Sequence, residues 1–153
     1  MSRRNGPRIA GLAAVAATLA LLSSCAWASP IRTQEKYAAS DGVRVTLDDD
    51  GTVRVENLMV LTEAEGADAQ LFGTIVNDTT GPVTIGVEIG GSEAEFDIGA
   101  ASVTRLEDQT GPFSHEGAVP GATIEVEFSY RGITSRAVPV LDGTLDPYSE
   151  YLP

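Results

Sequence analysis

The sequence predicts an all-β domain, an antiparallel β-sandwich of about seven to eight short strands. Three observations favour this fold class. Apolar and polar residues alternate with a period of two in several segments of the chain. Turn-forming residues, mainly Gly, Asp, Asn and Pro, separate these segments at short intervals. After Cys25, no window of about 11 residues has the apolar spacing of an amphipathic helix.

The first 24 residues have the three parts of a secretory signal peptide. Arg3, Arg4 and Arg8 form a basic start, and an uncharged run of 14 residues, mostly Ala and Leu, extends from Ile9 to Leu22. A transmembrane helix is the alternative interpretation, but a membrane span needs about 20 apolar residues. Because the run is shorter and polar residues follow it, we interpret residues 1–24 as a cleaved export signal.

Cys25 follows Leu21-Leu22-Ser23-Ser24, and this stretch resembles the lipobox of bacterial lipoproteins. The resemblance implies that a diacylglyceryl group joins the sulfur of Cys25 and that cleavage follows Ser24. Cys25 is the only cysteine, so it cannot form an internal disulfide, and a free thiol is the alternative. Two acyl chains anchor a protein stably, whereas one anchors it only marginally. We therefore expect attachment to the outer face of the cell membrane, with this covalent lipid and no other cofactor.

The residues after position 24 are strongly acidic. They include seven basic and all 22 acidic side chains, a net charge of −15. Nucleic-acid binding is disfavoured, because neutralising phosphates requires clustered Lys and Arg. Anionic lipid headgroups are disfavoured as a docking surface for the same reason. Solubility outside the cell is a sufficient explanation for the acidity.

The exported chain is predicted to consist of a tether, one domain and a tail. Residues 25–40 have no sustained period of either kind and include Pro30, which indicates a lipid-anchored flexible tether. Asp41-Gly42 is a turn dipeptide that marks the start of the domain. The β-sandwich is predicted to span residues 41–141. Residues 142–153 have few apolar side chains and are predicted to form a loose tail.

The predicted strands are the segments in which alternation or a short apolar run is clearest. Alternating segments are typical of strands that are buried on one face, and a continuous apolar run is typical of a strand buried on both. The order of these strands in the sheets does not follow from the sequence. In chain order the segments are Val43–Leu47, Val53–Val55 with the apolar run Leu58–Leu61, Gln70–Val76, Val83–Ile89, Ala94–Ile98, Ser102–Leu106, Ile124–Tyr130 and Thr134–Val140.

Ser114-His115-Glu116 contains the residue types of a hydrolase triad. Adjacent residues on a strand or turn point in different directions, whereas the members of a triad must hydrogen-bond in series. His115 is the only histidine of the chain, and no nucleophile elbow accompanies it. We therefore interpret His115 as a surface loop residue and predict that the protein is not an enzyme.

Two further polar motifs are interpreted as turns. Asp48-Asp49-Asp50-Gly51 offers carboxylates that could bind Ca²⁺, but consecutive Asp side chains diverge and the spacing of an EF-hand loop is absent. The Asp-Gly dipeptide favours a tight turn instead. Asn77-Asp78-Thr79 matches an N-glycosylation sequon. Since a lipobox implies a bacterial source, we interpret these residues as a turn too.

Two stretches resemble the PCu(A)C family of periplasmic copper chaperones. Gly73-Thr74-Ile75-Val76-Asn77-Asp78 is similar to a strand of that family that ends in an Asn-containing turn. The stretch from Pro120 to Phe128, followed by Gly132 and a strand to Val140, resembles the closing hairpin of the family. The resemblance covers about a hundred residues. It implies a β-sandwich of the cupredoxin or immunoglobulin type on the outside of the cell.

The copper ligands of that family do not carry over to this sequence. Copper chaperones of this kind bind Cu(I) through a set of His and Met side chains, because thioethers and imidazoles suit this soft ion. After Cys25 the chain contains one Met, Met59, and one His, His115, at an offset that does not match. Met59 and His115 are thus weak metal candidates, and we predict no metal site.

The sequence therefore favours a non-enzymatic lipoprotein, held at the outer face of the cell membrane, whose β-sandwich binds a partner protein or another component of the cell envelope. A copper-binding, chaperone-like protein with an atypical or weak site is the alternative.

Overall fold

The computed structural model describes residues 40–144 and 146–153, which belong to one compact unit, Ala38–Pro153. The predicted signal peptide, Cys25 and nearly all of the predicted tether lie outside the described residues. No helix in the described part of the chain is both long enough and apolar enough to cross a membrane.

The described residues form an all-β fold, as the sequence predicts. Eight strands account for its regular structure, together with one short 3₁₀ helix at Tyr148–Tyr151. Each strand coincides with a segment identified by alternation or by an apolar run. The strands are β1 (Val43–Thr46), β2 (Val53–Thr62), β3 (Ala69–Asn77), β4 (Val83–Ile89), β5 (Ser92–Ile98), β6 (Ser102–Arg105), β7 (Thr123–Ser129) and β8 (Ile133–Asp142).

The strands are hydrogen-bonded in the order β5-β4-β7-β8-β2-β3-β6, and β1 pairs with β2. One layer contains β1, β2, β3 and β6, and the other contains β4, β5 and β7. β8 belongs to both layers. Its residues Ile133–Pro139 pair with β7, and its residues Val140–Asp142 pair with β2.

The pairing of β8 with β2 is parallel, which corrects the expectation of an entirely antiparallel sandwich. The hairpin turn at Arg131-Gly132 fixes the direction of β8 against β7. β8 is ten residues long, so its end extends beyond β7 and lies along the end of β2, running in the same direction. All other strand pairs are antiparallel.

A β-bulge in β2 shifts the positions that face the main core, from Val53 and Val55 before it to Leu58 and Val60 after it. The register of β2 against β3 shifts between Glu56 and Met59, and Asn57 has a positive φ of 52°. Gly73 of β3 lies opposite the bulge, and a Cβ atom there would come within 3.2 Å of the β2 backbone. Beyond the bulge, Leu58 and Val60 join the main core. Met59 and Leu61 are equally buried but lie outside that core, as expected of a strand that is covered on both faces.

The main core lies between the two layers and follows the predicted alternation. In β4 the residues Val83, Ile85, Val87 and Ile89 are buried, and the residues between them are exposed or half-buried. In β7 the same pattern buries Phe128, which has no exposed surface.

The segment after β8, which the sequence predicts to be a loose tail, contains the 3₁₀ helix and packs on the outer face of β3. The rings of Tyr148 and Tyr151 make edge contacts with Phe72, at centroid distances of 5.6 and 5.0 Å. Phe72 is the cross-strand neighbour of Met59. Aromatic contacts therefore order a segment that is poor in aliphatic residues.

Candidate functional site

Met59 and His115, the two metal candidates, lie in different parts of the fold. Met59 is fully buried in the middle of β2, beside Phe72. His115 is half-buried in the loop before β7, and its ring packs against the backbone of Gly90 at the β4–β5 turn. Its Nδ1 accepts a hydrogen bond from the backbone N–H of Gly117 at 2.8 Å. In residues 40–144 and 146–153, no three His, Cys, Asp or Glu side chains come close enough together to hold a metal ion.

The side chains of Ser114 and His115 have separate hydrogen-bond partners. The hydroxyl of Ser114 donates to the Oδ1 of Asp68 at 2.9 Å, whereas the Nδ1 of His115 accepts from Gly117. The two side chains thus stabilise different parts of the loop. This geometry does not have the serial hydrogen bonds of a nucleophile and its base.

Asp48 organises the turn between β1 and β2. Its carboxylate accepts hydrogen bonds from the hydroxyl of Thr52 at 2.5 Å and from the backbone N–H of Val53 at 3.2 Å. Burial alone would raise the pKa of Asp48, but the hydrogen bonds from Thr52, Val53 and Gly51 outweigh it and lower this pKa. The Asp48 carboxylate therefore has a structural role in the turn.

The amide of Asn77 ties the end of β3 to the end of β5. Its Nδ2 donates to the carbonyl of Gly99 at 2.8 Å, and its Oδ1 accepts from the backbone N–H of Thr79 at 3.0 Å. Because Asn77 has no exposed surface, its amide is committed to this turn. Asp78, the next residue, forms an ion pair with Arg54.

Several glutamates lie together on the outer face of β4, β5 and β7. Sequence reasoning did not identify this cluster. Glu88 of β4 lies directly opposite Glu93 of β5 on one side and Glu127 of β7 on the other. Three carboxylates thus form a row across three neighbouring strands. Like charges that are directly opposite in a sheet destabilise it. The alternation of polar and apolar residues in each strand is visible in the sequence, but the alignment of the three glutamates depends on the register between the strands.

A shallow depression of about 480 Å³ lies beside this row, over Gly86. Gly86 is paired with Glu95 on one side and with Ser129 on the other. A side chain at Gly86 would collide with the hydroxyl of Ser129, so the glycine keeps the depression open. Ile133 forms part of its wall and is 72% exposed. The face therefore combines an acidic surface with an exposed aliphatic side chain.

β4, β5 and β7, whose outer sides form this acidic face, contain no Lys or Arg. The ion pairs found in that part of the chain join Arg44 and Arg54 to Glu56 and Asp78, all on or beside β1 and β2. Arg136 is on β8, but its register partner is the buried Val126, so it lies on the opposite face of the strand. The charge of the glutamates is therefore left to solvent or to a partner.

Comparison with known proteins gives one structural likeness. No protein family matches this sequence, and no curated protein matches it. Among solved structures, the chain is similar to a copper-bound PCuAC domain from PmoF2, at 15% sequence identity and a TM-score of 0.40. The match covers 60% of this chain and 93% of that domain.

Proposed function

We propose that this protein is an exported, lipid-anchored binding protein whose β-sandwich recognises a cationic segment of a protein partner in the cell envelope. The observation that carries this proposal is the row Glu93–Glu88–Glu127 on the outer face of the sheet. The export signal and the lipobox at Cys25 support a location outside the cell.

The glutamate row is more specific than solubility requires. Scattered acidic side chains keep a protein soluble without opposing one another. Here Glu88 is opposed on both sides, which lowers stability in the free protein. A cationic partner would relieve this repulsion, and such complementarity selects partners and speeds their association.

The charge also determines which partners fit this face. Nucleic acids and anionic lipid headgroups would be repelled by it. Its glutamates do not converge as metal ligands among the described residues. A protein segment rich in Lys or Arg complements the row, and the exposed Ile133 provides an aliphatic contact beside it.

The test uses a Lys-rich peptide as the probe and two variants that lose the same charge. The first variant replaces Glu88, Glu93 and Glu127 by Gln. The second makes the same change at Glu63 and Glu65, exposed in the β2–β3 loop, and at Glu150, exposed in the 3₁₀ helix of the other layer. We expect the first to bind the peptide about tenfold more weakly than the native protein, and the second to bind nearly as well.

Titration by calorimetry at low and physiological salt measures this difference, and binding to the native protein should weaken as salt increases. Equal losses in the two variants would mean that the peptide responds to net charge alone. In that case the face would not be a binding site.

A further inference from the structure

We propose that the cationic segment binds as an added β-strand along the free edge of β5. This inference rests on the proposed function and specifies how the partner is held. Cationic side chains of the added strand would extend over the acidic face, and the apolar side chains between them would enter a cleft between the two layers.

The edge of β5 is open along most of its length. β5 is the first strand in the hydrogen-bonded order, and its register partners all lie in β4. In the described part of the chain, no backbone hydrogen bond links Ser92–Asp97 to any segment other than β4. Every second residue of an edge strand turns its N–H and C=O groups away from the sheet. These groups are the ones that strand addition uses.

A cleft of about 400 Å³ lies on the inner side of this edge. Its apolar lining comes from both layers: Leu71 of β3, Val87 and Ile89 of β4, Ala94 of β5 and Phe113 of the loop before β7. This volume is within the usual range for a site that binds a small ligand or a few side chains.

The cleft lies at the end of β5 where a loop, and not a strand, borders β3. At the Ile98 end, the Asn77 amide donates to the carbonyl of Gly99 and closes the layers together. β6 is short and pairs only with the second half of β3, Thr74–Asn77. The first half of β3 is bordered by a loop, through the bridge between Ala69 and Phe113. At the Ser92 end this loop, through the packing of His115 on Gly90, takes the place of a strand, and the cleft lies beside it.

The alternation of β5 defines the partner that fits. Glu93, Glu95 and Asp97 are exposed on the outer face, whereas Ala94 and Phe96 point inward. Side chains that are directly opposite in neighbouring strands share a face. An added strand would thus place Lys or Arg opposite the carboxylates and small apolar residues at the positions between them.

The same alternation argues against a second copy of this chain as the occupant. If the β5 edges of two copies paired with their apolar side chains pointing into the clefts, the carboxylates of one copy would lie opposite those of the other. Charged residues on an edge strand are a known protection against self-association. A cationic strand from another protein avoids this repulsion.

The test uses three seven-residue peptides that are blocked at both ends. In the first, Lys alternates with Val. The second has the same sequence but carries a methyl group on the backbone nitrogen of every other residue. It is prepared in two versions, methylated at odd or at even positions, so that one version lacks the N–H groups that would face β5. The third has the same composition with the four Lys grouped together. Affinities are measured with the native chain after signal removal.

We expect the alternating peptide to bind and one methylated version to bind about a hundredfold more weakly, because several backbone hydrogen bonds are lost together. The peptide with grouped Lys should also bind more weakly. Amide hydrogen exchange followed by NMR should show new protection within Ser92–Asp97. The variant Glu93→Gln/Glu95→Gln should weaken binding of the alternating peptide about fivefold.

Three outcomes would overturn strand addition at β5, and they differ in whether the proposed function also fails. If all the peptides bind equally, the acidic face attracts cations without an added strand, and the proposed function stands alone. If protection appears in β6 instead of β5, the partner uses the other edge of the sheet. If no peptide binds, the proposed cationic partner fails together with this inference.

Discussion

The hydroxyl of Tyr148 donates a hydrogen bond of 2.6 Å to the Oδ2 of Asp41. This contact joins the C-terminal 3₁₀ helix to the start of the folded domain, next to the strand that pairs with β2. The ring of the same tyrosine packs on Phe72. One side chain therefore holds both ends of the described chain against the outer face of the β1–β2–β3 layer.

The Tyr148–Asp41 contact predicts a pH dependence of stability. The hydrogen bond to Asp41, with smaller contributions from burial and from the Asp41 charge, raises the pKa of Tyr148 above its usual value of 10.0. The folded state then retains a proton that the unfolded state loses, so stability falls as the pH rises above about 10. Tyr148→Phe should show a smaller fall between pH 9 and 11 in denaturant titrations. An identical pH profile for both proteins would show that the contact is too weak to affect folding.

The lipobox predicts that Cys25→Ala abolishes lipid attachment. The only sulfur available for a diacylglyceryl group is then missing, so the protein should be released or mislocalised. Metabolic labelling with a tagged fatty acid, followed by fractionation, measures both effects. Equal label on the native protein and the variant would contradict the assignment of Cys25 as the anchor.

The core predicts a large difference between two adjacent residues of β7. Phe128 is fully buried, so Phe128→Ala should lower the free energy of unfolding by about 3–5 kcal/mol. Glu127 is on the outer face, and Glu127→Ala should change the free energy by no more than about 0.5 kcal/mol. Chemical denaturation of both variants tests this contrast. Similar losses would mean that the outer face contributes to stability as much as the core does.

The separation of Met59 from His115 predicts weak copper binding. High-affinity Cu(I) sites need several soft ligands that meet at one point. Met59 is buried beside Phe72, and the Nδ1 of His115 already accepts a hydrogen bond. The domain without affinity tags should bind Cu(I) no better than about micromolar, as measured against a chromogenic chelator. A nanomolar one-to-one site that His115→Ala weakens would revive the copper-binding alternative.

Sequence reasoning succeeded where the cause is local. The alternation in β4 and β7 identifies the buried face of each strand, because the side-chain period of a strand is two. It failed where partners are distant in sequence. The parallel contact of Val60 with Val140 and the row of Glu88 with Glu127 depend on the packing of the whole sheet. The aromatic contacts of Tyr151 were missed because a tail with few aliphatic residues gives no periodic signal.

The sharing of β8 between the two layers has a mechanical consequence. A pulling force applied between β3 and β5 would pass through β2, β8, β7 and β4 in turn. The ladder between β2 and β8 is three residues long, whereas β7 and β8 are paired along seven residues, as are β4 and β5. Under load, the sandwich should therefore part first between Val60–Thr62 and Val140–Asp142, and each half would keep its own longer ladders intact.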